Sequence, residues 1–228
     1  EFRRVLFRSP NSVEDEMLVI IQEAKISNSL IFEYLLKTLA RLVQKTRQNP
    51  QINQEKGVSV RLGIHGLELL VGEAERTRAL PYKIIAAPRL SDMHCLEQVA
   101  KFELATMDDT VKNRQIVFDE IIQEAIKETC LEFLENVDTN TLESIKQEFG
   151  QNTFQISQKM IWKNGTVSYS NQIDKFQNLK KLIDKNIKKI QRDQQKLQEM
   201  SQKYKIDLDS LKMDETSEDE IKAGLTEI

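Results

Sequence analysis

Arg61 is the residue whose type and position bear most directly on chemistry. It follows Gly57-Val58-Ser59-Val60 and opens an amphipathic run from Leu62 to Leu80. Ser59 suits a helix cap, and Gly57 allows the preceding loop to turn tightly. An arginine in the first helical turn is opposed by the positive end of the helix dipole, so it is better placed facing an anion. A guanidinium there can fork two hydrogen bonds onto phosphate oxygens. By residue type alone, a solvated Arg61 is the plainer reading.

Other self-contained chemistry is absent from the sequence. The seven glycines form no G-x-x-x-x-G-K-[ST] phosphate loop and no G-x-G-x-x-G. His65, His94, Cys95 and Cys130 lack metal-ligand spacing, so no metal site is expected. No Ser, His and acid grouping marks a nucleophile. Ile116-Val117-Phe118-Asp119-Glu120 imitates the hydrophobic run plus Asp-Glu that holds magnesium in nucleotide hydrolases. Its apolar pattern continues at helical spacing through Ile121, Ile122, Ala125 and Ile126, which makes it an ordinary helix.

The elements that would position Arg61 are mostly helical. Seven Gly and four Pro in 228 residues, with 30% charged residues, favour a mainly α fold. Ser12 caps a first helix with Met17, Ile20, Ile21 and Ala24 on its apolar face. Ser27 or Asn28 is expected to cap a second, with Leu30, Ile31, Tyr34, Leu35, Thr38 and Leu42 inward, ended by Asn49-Pro50. A third starts near Ser59 or Val60. Gly63, Gly66 and Gly72 lie inside it, which close packing would offset, and Pro81 breaks it. Ser91 caps a helix containing Met93, Leu96 and Val99. Lys101 to Ala105 alternates like a short strand. A long helix runs to about Asn136, burying Val117, Ile121, Ile122, Ala125, Ile126, Thr129 and Phe133.

From Thr139 the character changes. A short helix over 141–149 precedes two alternating segments, 153–157 and 166–170, around Asn164-Gly165, which together predict a β-hairpin. Phe176, Ile183, Ile190, Leu197 and Tyr204 recur every seven residues in a long helix over 171–205, carrying ten Lys/Arg against four Asp/Glu. Residues 206–228 reverse the sign, with two Lys against eight Asp/Glu. So acidic a tail, with little to bury, is expected to be disordered. Two separated cysteines point to a reducing compartment, and no apolar run nears the roughly 20 residues of a membrane span.

Glu1-Phe2-Arg3-Arg4-Val5-Leu6-Phe7-Arg8-Ser9 resembles an in-frame translation of a sequencing adapter. Residues 1–9 are therefore read as an artefact, and the natural reading frame is expected to begin upstream.

Gly57-Val58-Ser59-Val60-Arg61 resembles the sensor-2 junction of MoxR-like and magnesium-chelatase-subunit-I-like AAA+ ATPases, in which a Gly-x-Ser-x-Arg opens a lid helix. Gln51 to Lys56 resembles the polar lead-in of that junction. Glu68 and Ala74-Glu75-Arg76-Thr77-Arg78-Ala79 resemble its helix. Pro88-Arg89-Leu90-Ser91-Asp92 is similar to a Pro-Arg-x-Ser-Asp element. Ala100-Lys101-Phe102-Glu103-Leu104 resembles a Gly-Lys-x-Glu stretch, departing at Ala100. The similarity spans roughly residues 44–136 and continues more faintly to about 180.

The resemblance implies a helical lid-like domain over 10–137, followed by a small α+β element over 138–170, the basic helix over 171–205 and the acidic tail. It implies that Arg61 is the sensor-2 arginine, contacting with Ser59 the ATP, and its magnesium, held mainly by a core domain missing from this chain. Without a phosphate loop the chain is expected to be inactive alone. Its implied partners are its own AAA+ core and neighbouring subunits of a cytoplasmic ring. Arg76 and Arg78 are expected on the surface rather than in inter-subunit or lid contacts, while the Arg89–Asp92 pair forms either such a contact or a capped helix start. The competing reading is a non-enzymatic helical adaptor that binds a protein through 171–205. Aromatics interleave poorly in that helix, which argues against nucleic acid.

Overall fold

A computed structural model describes residues 12–26, 29–53, 61–163, 168–188 and 215–228, and among these the chain is mainly helical. Its helices are α1 (Val13–Glu23), α2 (Glu33–Gln48), α3 (Arg61–Ala74), α4 (Leu80–Tyr82), α5 (Val111–Leu134), α6 (Thr139–Gln151), α7 (Tyr169–Ile173), α8 (177–188) and α9 (Glu215–Thr226). No described helix is long and apolar enough to cross a membrane.

The chain divides into two compact units. The first contains 31–73 and 92–135 with the N-terminal segment; the second contains 28–30, 74–91 and 136–228. Residues 74–91 belong with the C-terminal half.

In the first unit α2 packs against both α1 and α5. Leu35, Leu39, Ala40, Leu42 and Val43 of α2 are fully buried, as its wide apolar face requires. Ser12 caps α1, its Oγ accepting from Asp15 N–H at 3.0 Å. Arg47 of α2 forks onto the fully buried Glu16 carboxylate of α1 at 2.6 and 3.1 Å. Asn49-Pro50 ends α2, and the Asn49 carboxamide accepts from Gln51 N–H at 2.8 Å.

α2 begins at Glu33, later than expected, with no side-chain cap at Phe32. Ser27 and Asn28 lie outside the described residues. Leu30 instead donates its N–H to Ala86 at 2.8 Å, within a parallel bridge of Ser29 with Ala86 in the second unit. The expected strand at 101–105 is reduced to a bridge of Leu104 with Ile52. Residues 90–98 form a 3-10 helix rather than an α-helix.

α3 buries Leu62, Leu67, Leu70 and Val71. Two of its glycines are contact points: a Cβ on Gly63 would lie 2.7 Å from Ile20, and one on Gly66 would lie 3.1 Å from Leu39. Gly72 is exposed with nothing nearby, so close packing does not explain it.

Pro81 does not break the run. Ala74 leads into a π-helical turn, Glu75–Ala79, and Pro81 then occupies the first turn of α4. Leu80 N–H bonds Glu75 C=O, and Ile84 N–H bonds Ala79 C=O, each reaching five residues back. The wider turn accommodates a residue that has no N–H. The run stops at Lys83, which takes the left-handed conformation at φ 56°.

Among its described residues, the second unit shows no hairpin. Residues 164–167, including the Asn164-Gly165 turn, lie outside the described residues. The described flanks, 153–157 and 168–170, form no strands: Tyr169 and Ser170 open α7 while their N–H groups reach Ile161 and Trp162 carbonyls at 3.3 and 3.0 Å. Helix formation there is supported by aromatic packing. Phe149, Phe154, Tyr169 and Phe176 form a cluster, with Phe149 and Phe176 rings 4.8 Å apart.

The long basic helix is interrupted at 174–176, between α7 and α8. Phe176 is fully buried and Glu148 accepts from the first α8 amides, Asn178 N–H at 2.8 Å and Leu179 N–H at 3.3 Å. An acid from another helix thus supplies the cap that the α8 sequence lacks. Ile190, Leu197 and Tyr204 lie outside the described residues. The tail expected to be disordered contains α9, whose Ile221, Ala223 and Leu225 are buried. Net charge concealed this helix, because Ile221, Gly224, Leu225 and Ile228 recur at helical spacing.

Candidate functional site

Arg61 is the first residue of α3, and it is exposed. α3 turns Leu62, Gly63, Gly66 and Leu67 inward, which places Arg61 and His65 on the opposite, solvent-facing stripe. One turn further on, Glu68 joins His65 to the segment following α1: its carboxylate lies 2.9 Å from His65 Nδ1 and accepts from the Lys25 N–H at 2.9 Å. The His65 bond, followed by the Lys25 amide, holds the Glu68 carboxyl below its ordinary pKa. Ser59 lies outside the described residues, so Arg61 is the member of the sequence-derived pair that the structure places.

The Asp-Glu imitation at 116–120 lies within α5, with Asp119 and Glu120 exposed. They line a shallow, open groove with Ile116, Gln123 and Glu124. Three carboxylates there disfavour a phosphate. Among the described residues, no group of three or more His, Cys, Asp or Glu is arranged to hold a metal ion.

The second unit contains a polar site built on the Pro88-Arg89-Leu90-Ser91 stretch. Arg89 is completely buried and donates from Nη2 to the Met160 carbonyl at 2.7 Å. Its Nη1 lies 3.4 Å from Glu227, whose side chain is 1% exposed. Ser91 donates to the same carboxylate twice, from N–H at 3.0 Å and from Oγ at 3.1 Å. The Tyr169 hydroxyl donates to it as well. Arg89 Cζ sits 5.6 Å from the centre of the Tyr169 ring. Burial first, then the neighbouring Glu227 charge, pushes the Tyr169 phenol far above its usual range, so it remains a donor.

Arg78 supports the floor of this unit. It is buried, against the expectation of a surface charge, and donates to the carbonyls of Gln158 at 2.9 Å and Ala87 at 2.8 Å. Arg76 is exposed, as expected. Two residues apart on a helical run, the two side chains point to opposite sides. Gln158 in turn donates to the Ser91 carbonyl at 3.3 Å.

Sequence reading singled out Arg89 and Ser91 but missed Glu227 and Tyr169. Tyr169 was assigned to a strand. Glu227 is one of eight acids in the tail, and the apolar spacing from Ile221 to Ile228 was the available signal that this segment docks.

No protein-family model matches the chain, and no curated protein or solved structure matches it.

Proposed function

We propose that the chain is the lid and C-terminal region of a magnesium-chelatase-like or MoxR-like AAA+ ATPase, and that Arg61 is its sensor-2 arginine. The observation that carries this reading is the exposure of Arg61 at the start of α3, on a helix anchored through Gly63 and Gly66 to α1 and α2. The guanidinium opposes the helix dipole unless an anion sits before it. A γ-phosphate supplied by an ATP-bound core domain, in the same or a neighbouring subunit, is an anion that such a guanidinium can receive. Arg61 would then stabilise charge developing during phosphoryl transfer and link nucleotide state to lid position. Ser59 is proposed to cap α3 and stand beside the nucleotide. Magnesium would be held by the core.

The test uses the gene product extended upstream of residue 10. It is expected to contain a phosphate loop, and Arg61→Ala in it should lower ATP turnover by about 100-fold or more with helix content unchanged. Unchanged turnover would remove Arg61 from the mechanism. An upstream region without a phosphate loop would favour the adaptor reading.

A further inference from the structure

The Arg89 site and its occupant belong to separate parts of the chain. Arg89, Ser91, Met160 and Tyr169 stand on the body of the second unit, while Glu227 arrives at the end of α9. Four donors converge on one carboxylate: an arginine, a main-chain amide, a serine hydroxyl and a phenol. All are hydrogen-bond donors, and their convergence selects an acceptor-only group bearing negative charge. Arg89 is held from the other side by the Met160 carbonyl, so it does not depend on Glu227 for its place.

Besides Glu227, Glu220 of α9 is buried, at 2% exposure. α9 also buries the apolar side chains of Ile221, Ala223 and Leu225. Lys163 and Asp219 add an exposed pair at 3.3 Å, which adds little. The Glu227 carboxylate is the contact through which the segment meets all four donors, and its loss removes a charge partner of a buried arginine.

We propose that Arg89, Ser91 and Tyr169 form a binding site for a glutamate-bearing helical peptide, filled here by the chain's own C-terminal segment, and that the same segment supplied from solution binds there when the chain's own is displaced. The site selects the carboxylate through its donors and the helix through the apolar residues preceding it. This site is independent of Arg61 and of the ATPase reading.

The test uses the full chain and a fluorescein-labelled synthetic peptide of residues 215–228. In the Glu227→Arg chain the tail meets Arg89 with like charge and cannot seat, leaving the site open to the peptide. That variant should bind the peptide saturably with one-to-one stoichiometry. The wild-type chain should bind it at least about tenfold more weakly, because its own tail reduces the open fraction. A peptide carrying Glu227→Gln should bind the variant about thirtyfold more weakly or worse. No saturable binding by a folded variant, or equal binding of the Gln peptide, overturns the proposal. Should Glu227→Arg lose helix content, hydrogen exchange on the wild-type chain decides the matter. The α9 amides should then exchange together and faster than those of α6, and exchange of both at one common rate overturns the proposal.

Discussion

Lys37 Nζ lies 2.6 Å from the Glu132 carboxylate, joining α2 to α5 across 95 residues of sequence. The pair belongs to a ladder. Lys37, Arg41 and Lys45 are spaced by four on α2, and Glu124, Glu128 and Glu132 are spaced by four on α5. Arg41 also meets Glu132, and Lys45 meets Glu128 at 2.7 Å and Glu124 at 3.3 Å. The pairing runs antiparallel, so the ladder fixes the register of the two helices beside their apolar contact.

Glu132 is held below its ordinary pKa chiefly by the Lys37 hydrogen bond, then by that of Arg41. A depressed carboxylate contributes stability above its unfolded pKa, and that contribution is lost as pH falls through the folded value. Glu132→Gln should cost about 0.5–1 kcal/mol at pH 7, since the side chain is partly exposed and screened. The difference from wild type should shrink as pH drops below about 4 and also in high salt. Urea unfolding at several pH values and salt concentrations measures both.

Gly63→Ala and Gly72→Ala should act in opposite directions. The first places a methyl against Ile20 and should destabilise by about 1–3 kcal/mol. The second meets open space and should stabilise by about 1 kcal/mol through helix propensity. Denaturant midpoints of the two variants distinguish a packed glycine from an unpacked one. A gain in both would mean that α3 does not approach α1 at Gly63.

Arg78→Ala should be far more costly than Arg76→Ala. Removing Arg78 orphans the buried donor–acceptor pairings with Gln158 and Ala87, about 1–3 kcal/mol for each group left unpaired. Arg76→Ala, on the exposed side, should stay within about 0.5 kcal/mol. Thermal unfolding of both variants reads the difference, and equal melting temperatures would place Arg78 at the surface.

Cys95 should resist alkylation in the native state. Burial, followed by the Asp92 and Glu73 charges, pushes its thiol up to about 12, leaving almost no thiolate at pH 8. Cys130 is raised by burial alone and is less enclosed. Iodoacetamide labelling followed by mass spectrometry should mark Cys130 first, and both equally once urea unfolds the chain.

Arg61→Ala should leave stability within about 0.5 kcal/mol of wild type, or raise it slightly by removing a cation from a helix N-terminus. Circular dichroism and urea melts of the chain check this without any nucleotide. A large loss would make Arg61 a structural residue.

The amino-acid sequence by itself determined where most helical faces lie. Apolar spacing in α2 and α5, the Ser12 cap and the Asn49-Pro50 stop are local signals with a 3.6-residue period, and the structure uses each of them. The same periodicity exposed the false Asp-Glu motif in α5. Tertiary structure decided what local signals cannot carry. Pro81 continues the run because a π turn absorbs its missing donor, and Tyr169 joins a helix with its ring stacked on Phe154. Arg78 turns inward toward carbonyls 9 and 80 residues away. Glu227, indistinguishable in sequence from the other acids of a charged tail, becomes a buried carboxylate because Arg89 and Ser91, more than a hundred residues earlier, supply the donors that offset its desolvation.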